Sequence, residues 1–352
     1  MMDTQKSVIT EVQNGIGWIK LNRPRALNSL NVDMVDTMNE QLKKWKQDDS
    51  VSFVCIYGEG EKGLCAGGDM RALYDLKEDD IEAYAKQFFS IEYELDYEIH
   101  HYPKPVVVFM NGIVMGGGVG LSIGASHRIV TESSKWAMPE MNIGFFPDVG
   151  ASYFLNQMPG SVGRYLALTA TIIHAQDALY IGAADHFIES KDWPKLKEGM
   201  MEKRWTPDSV ETDLNQLLDS FRRPVSLPSS ISSVQDKIDQ YFRFETIEEI
   251  ISSLKQGART GDEWAEKTIE TLRSMSPTSL KVTLRQMQKG KEQSLQACFD
   301  MEQNLALHFM KCHDFYEGVR SVLVDKDRTP IWNPSTLSEV TERQVDSFFE
   351  TV

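Results

Sequence analysis

The sequence predicts an α/β core with parallel strand pairing, followed by a helical C-terminal region. Up to about residue 190, short runs of apolar and β-branched residues alternate with amphipathic helical patterns. This order is typical of a parallel sheet with helices between its strands. From Lys191 onward the strand patterns nearly vanish and helical periodicity dominates. We therefore predict an α/β core over residues 1–190 and a helical region over residues 191–352.

The elements at the start of the chain can be assigned in order. Val8–Val12 and Gly17–Leu21 have the pattern of β-strands, and Asn14-Gly15 between them is a hairpin turn pair. Apolar residues then recur on one face of a predicted helix over Asn31–Trp45. Val51–Tyr57 is an apolar run of strand length and predicts a buried strand.

Two glycine-containing loops follow, and each comes after a predicted strand and opens a predicted helix. The first loop, Leu64–Asp69, leads into a helix that begins near Met70. An acidic helical pattern then runs from Asp79 to about His101. The predicted strand Val106–Met110 leads toward the second loop, Gly116–Gly118, which a short helix of small and apolar residues follows.

Helical periodicity marks most of the chain after Gly150. The predicted helices are Tyr153–Leu168, Ala175–Ile181, 208–222, 232–241, 246–256, 261–275, 279–288 and 291–312, with a short closing helix near 337–349.

Composition and charge narrow the classes of partner. The 352 residues carry a net charge of −15, which argues against a general nucleic-acid binder because such proteins present a basic face. A local basic cluster of Lys20, Arg23 and Arg25 is nevertheless compatible with a small phosphorylated ligand. No apolar run reaches the length of a membrane span. We therefore expect neither a nucleic-acid nor a membrane partner.

The cysteines and the N-terminal residues indicate in which cellular compartment the protein is expected. Cys55, Cys65, Cys298 and Cys312 show no paired spacing, which indicates a reducing environment. The segment MMDTQKSVITEV has neither the apolar centre of a signal peptide nor the Arg-rich character of a transit peptide. The expected location is the cytoplasm.

The glycine loops suit the binding of negative charge. Glycine leaves no side chain between the backbone and an approaching group, and it permits turns that are closed to other residues. A glycine turn that opens a helix directs free N–H groups and a partial positive charge outward. If Ala66–Asp69 and Gly116–Gly118 each contribute one N–H, they form an oxyanion hole of the kind that acyl-thioester chemistry requires.

Two acidic residues follow the second loop in apolar surroundings. Glu140 comes after Met138-Pro139, and Asp148 comes after Phe145–Pro147. Burial among apolar neighbours would raise the pKa of either carboxyl. Taken alone, Asp148 is as consistent with a cap or turn residue as with a functional acid. The combination of two acids with two glycine loops favours a site for acyl chemistry.

Three other patterns are weaker. Gly120–Gly124 matches the G-x-S-x-G elbow of α/β-hydrolases, but Ser122 falls inside a predicted helix, where a packing role is favoured. The glycine spacing does not fit the dinucleotide-binding fingerprint. His308, Cys312 and His313 are better explained by core packing than by metal ligation, and we expect no metal site.

Together these motifs resemble the crotonase (enoyl-CoA hydratase/isomerase) superfamily, and within it the branch that hydrolyses 3-hydroxyisobutyryl-CoA. The resemblance spans nearly the whole chain, and its last two stretches are similar to the hydrolase branch in particular. The stretches that carry it are Leu21–Pro24, Ala26–Asn28, Leu64–Asp69, Met115–Gly120, Met138–Glu140, Gly144–Gly150, Ser276–Lys281 and Asp314–Arg320 through Asp325–Asp327.

The resemblance implies a crotonase-like core of repeated ββα units wound as a spiral, with C-terminal helices, and it implies roles for individual residues. The implied residues are Gly68 and Gly117 as oxyanion-hole amides, Glu140 and Asp148 as the acidic pair, Glu92 as a further substrate-contacting acid, and Arg25, Ala26, Leu27, Ala66 and Asp69 along the CoA moiety. No cofactor is implied, because coenzyme A is part of the substrate. Family members often form trimers or hexamers, so a homo-oligomer is compatible with the resemblance.

One departure from the hydratase pattern separates the branches. Hydratases of the superfamily carry a glutamate shortly after the glycine triplet, and that position here is Gly120, which cannot transfer a proton. Asp148 in turn places a carboxylate where hydratases usually have glycine. The pattern therefore favours hydrolysis of a small 3-hydroxyacyl-CoA over hydration, and the resemblance implies that this reaction belongs to valine catabolism. An enoyl-CoA hydratase or isomerase is the alternative within the superfamily, and a non-catalytic CoA-binding subunit is the alternative of another class.

Overall fold

The computed structural model of the chain describes residues 6–76, 81–225 and 228–351. The predicted start of the acidic helix at Asp79 lies outside the described residues, as do the first five residues of the N-terminal segment. Within the described ranges, no helix combines the length and the apolar character needed to cross a membrane.

Two compact units make up the chain, and both draw on separate stretches of sequence. The first unit contains the chain up to Gly68, together with Ile91–Trp136 and Ile173–Ser230. The second contains Asp69–Ser90, Ala137–Ile172 and the chain from Ile231 onward. The domain boundary at residue 190 stays a prediction.

The described residues form nine strands in two sheets, and all of them end before Ser190. The larger sheet has the order β1-β2-β3-β5-β7-β9, and the smaller has the order β4-β6-β8. The strands are β1 (Val8–Gln13), β2 (Ile16–Leu21), β3 (Phe53–Gly58), β4 (Gly63–Cys65), β5 (Val106–Met110), β6 (Ile113–Met115), β7 (His127–Val130), β8 (Lys135–Ala137) and β9 (His186–Phe187).

The larger sheet confirms the predicted parallel pairing. Only its first pair is antiparallel: β1 and β2 form a hairpin in which Val8 lies opposite Leu21. Asn14 and Gly15 have φ values of 52° and 77°, which match the twist that a two-residue hairpin needs. The pairs β2–β3, β3–β5, β5–β7 and β7–β9 are all parallel. Parallel strands need crossover connections, and the helices between them supply these.

Sixteen α-helices are described, and from Ser190 onward the described chain has helices without strands. The helices are α1 (Val32–Lys46), α2 (Met70–Asp75), α3 (Ile81–His100), α4 (Gly117–Ile123), α5 (Ala151–Phe154), α6 (Val162–Thr169), α7 (Ala175–Tyr180), α8 (Trp193–Glu202), α9 (Val210–Phe221), α10 (Ser230–Phe242), α11 (Ile247–Arg259), α12 (Glu263–Ser274), α13 (Pro277–Gly290), α14 (Leu295–Phe309), α15 (His313–Val319) and α16 (Glu342–Ser347).

Two segments differ from the predicted helices. The helix predicted over Tyr153–Leu168 is divided into α5 and α6, because Pro159-Gly160 lies between them and Gly160 adopts a left-handed φ of 53°. The helix α8 was not predicted. Its first residue, Trp193, stacks on Phe109 of β5 with 4.0 Å between ring centroids and 9° between ring planes.

The core of the first unit lies between the larger sheet and the helices α8 and α9. Its strand residues include Trp18, Phe53 and Val107, all of them buried. Trp205 packs edge-on against Phe53, with 4.8 Å between the ring centroids. Burial of this aromatic and aliphatic surface is the main favourable contribution to the stability of the unit.

Replacing Gly17 by alanine should destabilise the protein by about 1–3 kcal/mol, because overpacking forces a buried side chain out of place. An added Cβ would lie 2.6 Å from a ring carbon of the buried Trp45. The matched control is Gly199→Ala on α8, where the nearest side-chain atom, a Leu217 methyl carbon, is 3.2 Å away and can move. The control should gain up to about 1 kcal/mol from helix propensity. Urea unfolding measures both changes, and equal midpoints for Gly17→Ala and the wild type would contradict the packing described here.

Candidate active site

The two glycine loops of the first unit meet at their backbones. Gly67 has a φ of 108° and Gly116 a φ of 50°, values that glycine adopts without strain. A Cβ built on Gly117 would lie 3.4 Å from the Gly68 nitrogen, and one built on Gly67 would lie 3.6 Å from the Gly117 nitrogen. Gly117 is the first residue of α4, so its N–H has no partner inside that helix. The structure therefore brings the backbones of Gly68 and Gly117 close together.

Glu92 lies against Gly117 in the first unit. It lies on α3, its side chain is 1% exposed, and its Oε1 atom would be 2.4 Å from a Cβ on Gly117. Any residue larger than glycine at position 117 would therefore displace the Glu92 carboxyl. The sequence resemblance named Glu92 and Gly117 separately, and the structure brings them into contact.

The two stretches expected along the CoA moiety are hydrogen-bonded to each other. The Ala66 N–H donates to the Leu27 carbonyl at 3.0 Å, and the Leu30 N–H donates to the Gly67 carbonyl at 2.9 Å. Leu27 has a left-handed φ of 52° and ends a single 3₁₀ turn that contains Arg25 and Ala26, both exposed.

Asn28 fixes the shape of this turn. Its side-chain oxygen accepts from the Arg23 N–H at 2.9 Å, and its amide nitrogen donates to the Gly63 carbonyl at 3.0 Å. The exposed turn is therefore held rigidly against the loop that precedes Gly68. Asp69, the last residue expected along CoA, caps α2 by accepting from the Ala72 N–H at 3.4 Å.

Glu140 lies in the second unit, at the start of a 3₁₀ turn over Glu140–Ile143. Its side chain is 5% exposed. The turn closes where the Phe145 N–H donates to the Glu140 carbonyl at 3.1 Å. Gly144 follows the turn with a φ of 63°, and a Cβ there would lie 2.3 Å from the Asp314 carbonyl oxygen. The backbone around Glu140 is thus fixed by contacts that permit only glycine at position 144.

Asp148 lies in the same unit at the start of a strained turn. Its side chain is 2% exposed. The next two residues, Val149 and Gly150, have φ values of 53° and 85°. A positive φ is rare for a β-branched residue, and such strain persists only where the surrounding structure enforces it.

Glu302 of α14 supplies the contacts that hold this turn. Its Oε2 accepts from the Gly150 N–H at 2.7 Å. Its Oε1 accepts from the Ser152 N–H at 2.9 Å and from the Ser152 hydroxyl at 2.5 Å. Gln286 donates to Oε1 at 3.3 Å and to the Pro147 carbonyl at 2.7 Å. Glu302 and Gln286 together fix the backbone on both sides of Asp148.

The pKa of the Glu302 carboxyl is shifted strongly from its ordinary value. Complete burial raises the pKa of its carboxyl to about 8. The hydrogen bonds from Ser152 and Gly150 oppose this shift, and the nearby charge of Asp148 adds to it. At neutral pH the Glu302 carboxyl is therefore mostly protonated.

The sequence contained an indication that Glu302 is buried, which the motifs did not include. Residues 298, 299, 302, 305, 306 and 309 share one face of a helix, and all except Glu302 are apolar. A glutamate in an apolar stripe is a candidate for a buried structural or functional acid. No spacing rule could have indicated that its partners are Gly150 and Ser152, because they lie about 150 residues away in the chain.

Ser122 has the packing role that the sequence favoured. It lies inside α4 and is fully buried. Its hydroxyl donates to the carbonyls of Gly118 and Val119, each at 3.0 Å. A serine bonded to its own helix in this way is not positioned as a nucleophile at a strand-to-helix turn.

Comparison with known proteins identifies the family. The family model described as enoyl-CoA hydratase/isomerase matches residues 16–349. The chain belongs to this family. The resemblance seen in the sequence motifs is thereby confirmed over nearly the full length of the chain.

Individual relatives cover the chain almost completely. A protein of Danio rerio named 3-hydroxyisobutyryl-CoA hydrolase, mitochondrial, is 43% identical over 98% of this chain and 90% of its own length. A protein of Neurospora crassa named small ribosomal subunit protein mS47 is 40% identical over 92% of this chain and 66% of its own length.

A solved structure confirms the fold. The structure of a carnitinyl-CoA dehydratase from Mycobacterium thermoresistibile superposes with a TM-score of 0.90 and 36% identity, covering 99% of this chain and 97% of the other. The crotonase-like α/β fold with a helical C-terminal region is therefore the fold of this chain.

The expected cytoplasmic location is wrong. The Danio rerio relative is named as a mitochondrial protein, and so are relatives from Gallus gallus and Homo sapiens. These names point to mitochondria rather than to the cytoplasm. The sequence argument failed because it took the absence of a targeting pattern as information about location, which such an absence does not contain.

Replacing Glu302 by glutamine should change how stability depends on pH. The carboxyl has an ordinary pKa of 4.5 and a folded pKa of about 8, so the folded state binds its proton more tightly. Its contribution to stability is complete below about pH 4.5 and is lost as the pH rises toward 8. The wild type should therefore exceed Glu302→Gln in stability most at about pH 5, with the difference shrinking toward pH 8.

Thermal unfolding of both proteins across this range measures the difference. Glu339→Gln is the control, because Glu339 is an exposed acid that caps a surface turn and its pKa is lowered by hydrogen bonds from Thr336 and Ser335. The control should not reproduce the effect above pH 5. A constant difference between Glu302→Gln and the wild type from pH 5 to pH 8 would show that Glu302 does not titrate in this window.

Proposed function

We propose that this protein is a thioester hydrolase that converts 3-hydroxyisobutyryl-CoA to 3-hydroxyisobutyrate and CoA. The observation that carries the proposal is the 43% identity, over nearly the whole chain, to a relative with that name. The chemistry at position 120 agrees with it, because Gly120 has no group that could move a proton to or from a double bond. We place the reaction in valine catabolism, as the sequence resemblance implies.

The amides of Gly68 and Gly117 are proposed to bind the thioester carbonyl oxygen. The closeness of their backbones supports this role, since two N–H donors that bind one oxygen stabilise the negative charge that develops as the carbonyl is attacked. Donors fixed in place before the reaction need no reorganisation in the transition state. The tight glycine contacts of both loops provide that rigidity.

Glu140 is proposed as the acid that begins the reaction. It either removes a proton from water, which then attacks the carbonyl carbon, or attacks that carbon itself to form a mixed anhydride that water hydrolyses. In both routes the C–S bond breaks and CoA leaves as a thiol once its sulfur is protonated. Asp148 assists by holding the 3-hydroxyl group of the substrate or by orienting the water.

Substrate contacts are proposed for the remaining implied residues. Glu92 contacts the acyl group, in keeping with its position against Gly117. The CoA moiety lies along Arg25–Leu27, Ala66 and Asp69, and the preformed turn that Asn28 stabilises supports this assignment. The reaction as proposed uses no cofactor other than the CoA of its substrate.

Two other functions have specific observations in their favour. The solved structure with a TM-score of 0.90 is named as a dehydratase. A reaction that adds or removes water is therefore compatible with this fold. The Neurospora crassa relative is named as a ribosomal subunit protein, which gives the non-catalytic alternative a precedent. Both are tested by the same assay, because only hydrolysis releases free CoA.

Purified protein should release free thiol rapidly from 3-hydroxyisobutyryl-CoA and not from crotonyl-CoA or acetyl-CoA. Thiol release is followed with a thiol-reactive dye, and the loss of crotonyl-CoA is followed by its absorbance. Consumption of crotonyl-CoA without thiol release would assign the protein to the hydratase or isomerase branch. Tight CoA binding without turnover of any thioester would favour the non-catalytic subunit.

Glu140→Gln should lose activity by roughly 100- to 1,000-fold or more, because the amide can neither accept a proton nor attack a carbonyl. The variant should unfold at the temperature of the wild type, which separates loss of chemistry from loss of fold. Ser122→Ala is the control and should retain thioesterase activity, since Ser122 bonds only its own helix in the contacts described above. Near-normal turnover by folded Glu140→Gln would remove the acid from the mechanism.

A further inference from the structure

The C-terminal helices α13 and α14 hold the turn that contains Asp148 at two points. Gln286 of α13 donates to the Pro147 carbonyl at 2.7 Å, and Glu302 of α14 accepts from the Gly150 N–H at 2.7 Å. One contact precedes Asp148 in the chain and the other follows it. The Gln286 amide also donates to Glu302 Oε1 at 3.3 Å, which joins the two helices at this point. The backbone on either side of Asp148 is thus attached to the C-terminal helices.

The residues that follow the turn are packed tightly against α13. A Cβ built on Gly290, the last residue of α13, would lie 2.5 Å from the Ser152 carbonyl oxygen. The Asn156 amide donates to that same carbonyl at 2.7 Å and to the Met287 carbonyl of α13 at 2.9 Å. The turn and the helix therefore cannot shift independently of each other.

Two costly features accompany these contacts. Val149 has a φ of 53°, and such backbone strain is concentrated at functional sites, where the surrounding structure enforces it. Glu302 is fully buried in a helix face that is otherwise apolar. Burying a carboxyl group has a cost that an apolar residue would avoid. Both features are explained if the carboxyl group of Asp148 has to be kept in one place.

A carboxyl group held in one place suits a partner that is itself held in place. In 3-hydroxyisobutyryl-CoA a short chain of carbon atoms joins the hydroxyl group to the thioester carbonyl, so binding of the carbonyl leaves the hydroxyl few positions. A water molecule, in contrast, can follow a shift of the acid. A misplacement of about 1 Å in a bound group can cost on the order of 100-fold in rate. The rigid turn therefore favours the 3-hydroxyl group over water as the partner of Asp148.

We propose that Glu302 and Gln286 are positioning residues that determine the preference for a 3-hydroxyacyl thioester. They hold the backbone of Asp148 so that its carboxyl group accepts a hydrogen bond from the 3-hydroxyl group of the substrate. They touch no reacting atom and act through Asp148. This inference rests on the proposed function, because it concerns an acid of the proposed reaction.

The first test compares kcat/KM for 3-hydroxyisobutyryl-CoA with kcat/KM for isobutyryl-CoA, which lacks only the hydroxyl group. Thiol release is measured at about pH 8, where Glu302→Gln and the wild type should differ least in stability. The wild type should prefer the hydroxylated thioester by at least about 100-fold, because a site built to bind a hydroxyl group rejects the analogue without it. A wild type that hydrolyses both thioesters equally well would overturn the inference.

Glu302→Gln should lower this ratio at least about tenfold, because an amide has one oxygen and cannot accept from both Gly150 and Ser152. Gln286→Met removes the donor to Pro147 and should lower the ratio in the same direction. Activity toward isobutyryl-CoA should stay close to that of the wild type in both variants. Equal losses for the two thioesters would show that these side chains have only a structural role, which would overturn the inference.

Gln288→Met is the matched control for Gln286→Met. Gln288 lies on the same helix, and its amide also donates to a backbone carbonyl, that of Glu245, at 2.8 Å. Its described hydrogen bonds are made to Glu245 and not to the turn of Asp148. The control should keep the wild-type ratio. A fall as large as that of Gln286→Met would assign the effect to a general loosening of α13 and would contradict the positioning role.

A double-mutant comparison tests whether Glu302 acts through Asp148. In an Asp148→Ala background, Glu302→Gln should cause no further fall in the ratio, because residues that act as one unit are not additive. A second fall of similar size would show that Glu302 affects the acyl preference without Asp148, contrary to the proposal.

Binding of unreactive analogues gives a readout that does not depend on catalysis. In two ketone analogues a methylene group replaces the thioester sulfur, so the carbonyl remains but cannot be hydrolysed, and the two differ only in the 3-hydroxyl group. Calorimetry should show that the wild type binds the hydroxylated analogue more tightly and that Glu302→Gln and Asp148→Ala lose this preference. Equal affinity of the wild type for both analogues would overturn the inference. A wild type that shows the preference but releases no thiol from 3-hydroxyisobutyryl-CoA would support the inference and refute the proposed function.

Discussion

The close approach of the backbone at Gly67–Gly68 to the backbone at Gly117 is the constraint on which the first unit depends. A side chain at position 117 would collide with Glu92, and its Cβ would lie in ordinary contact with the Gly68 nitrogen at 3.4 Å. Gly118 is equally restricted, since a Cβ there would lie 2.4 Å from the Cys65 carbonyl oxygen. The loops can therefore hold two amides next to each other only because both lack side chains. The same absence allows α3 to bring carboxyl groups against α4.

In the second unit, the buried carboxyl of Glu302 fixes the backbone of a strained turn, as close glycine contacts fix the loops of the first unit. Glu302 accepts from Gly150 and Ser152 and so enforces a positive φ at Val149. A carboxyl is suited to this task because each of its two oxygens can accept more than one hydrogen bond. Its burial has a consequence, since the charged form is disfavoured and the pKa of the carboxyl is raised to about 8.

Local patterns allowed much of this architecture to be predicted, and tertiary contacts decided the rest. The hairpin at Asn14-Gly15 and the helix that begins after Asn31 follow from turn chemistry and capping, which act over a few residues. The helix α8 was missed, and its first residue, Trp193, stacks on Phe109, a contact that the local sequence does not show. The proposed roles of Gly68 and Gly117 came from a family resemblance, and the contact of their loops could not have been derived from spacing alone. The packing of Asp96 against Gly120 was missed for the same reason, because the two residues lie on different helices.

The role of Gly120 is only partly visible from the sequence. From the sequence it is a lost acid, and together with the carboxylate at Asp148 this loss disfavours the hydratase mechanism. In the structure the space beside Gly120 is filled by the carboxylate of Asp96. A side chain at position 120 and this conformation of Asp96 therefore exclude each other. Residues 96 and 120 of this chain should accordingly be interpreted together.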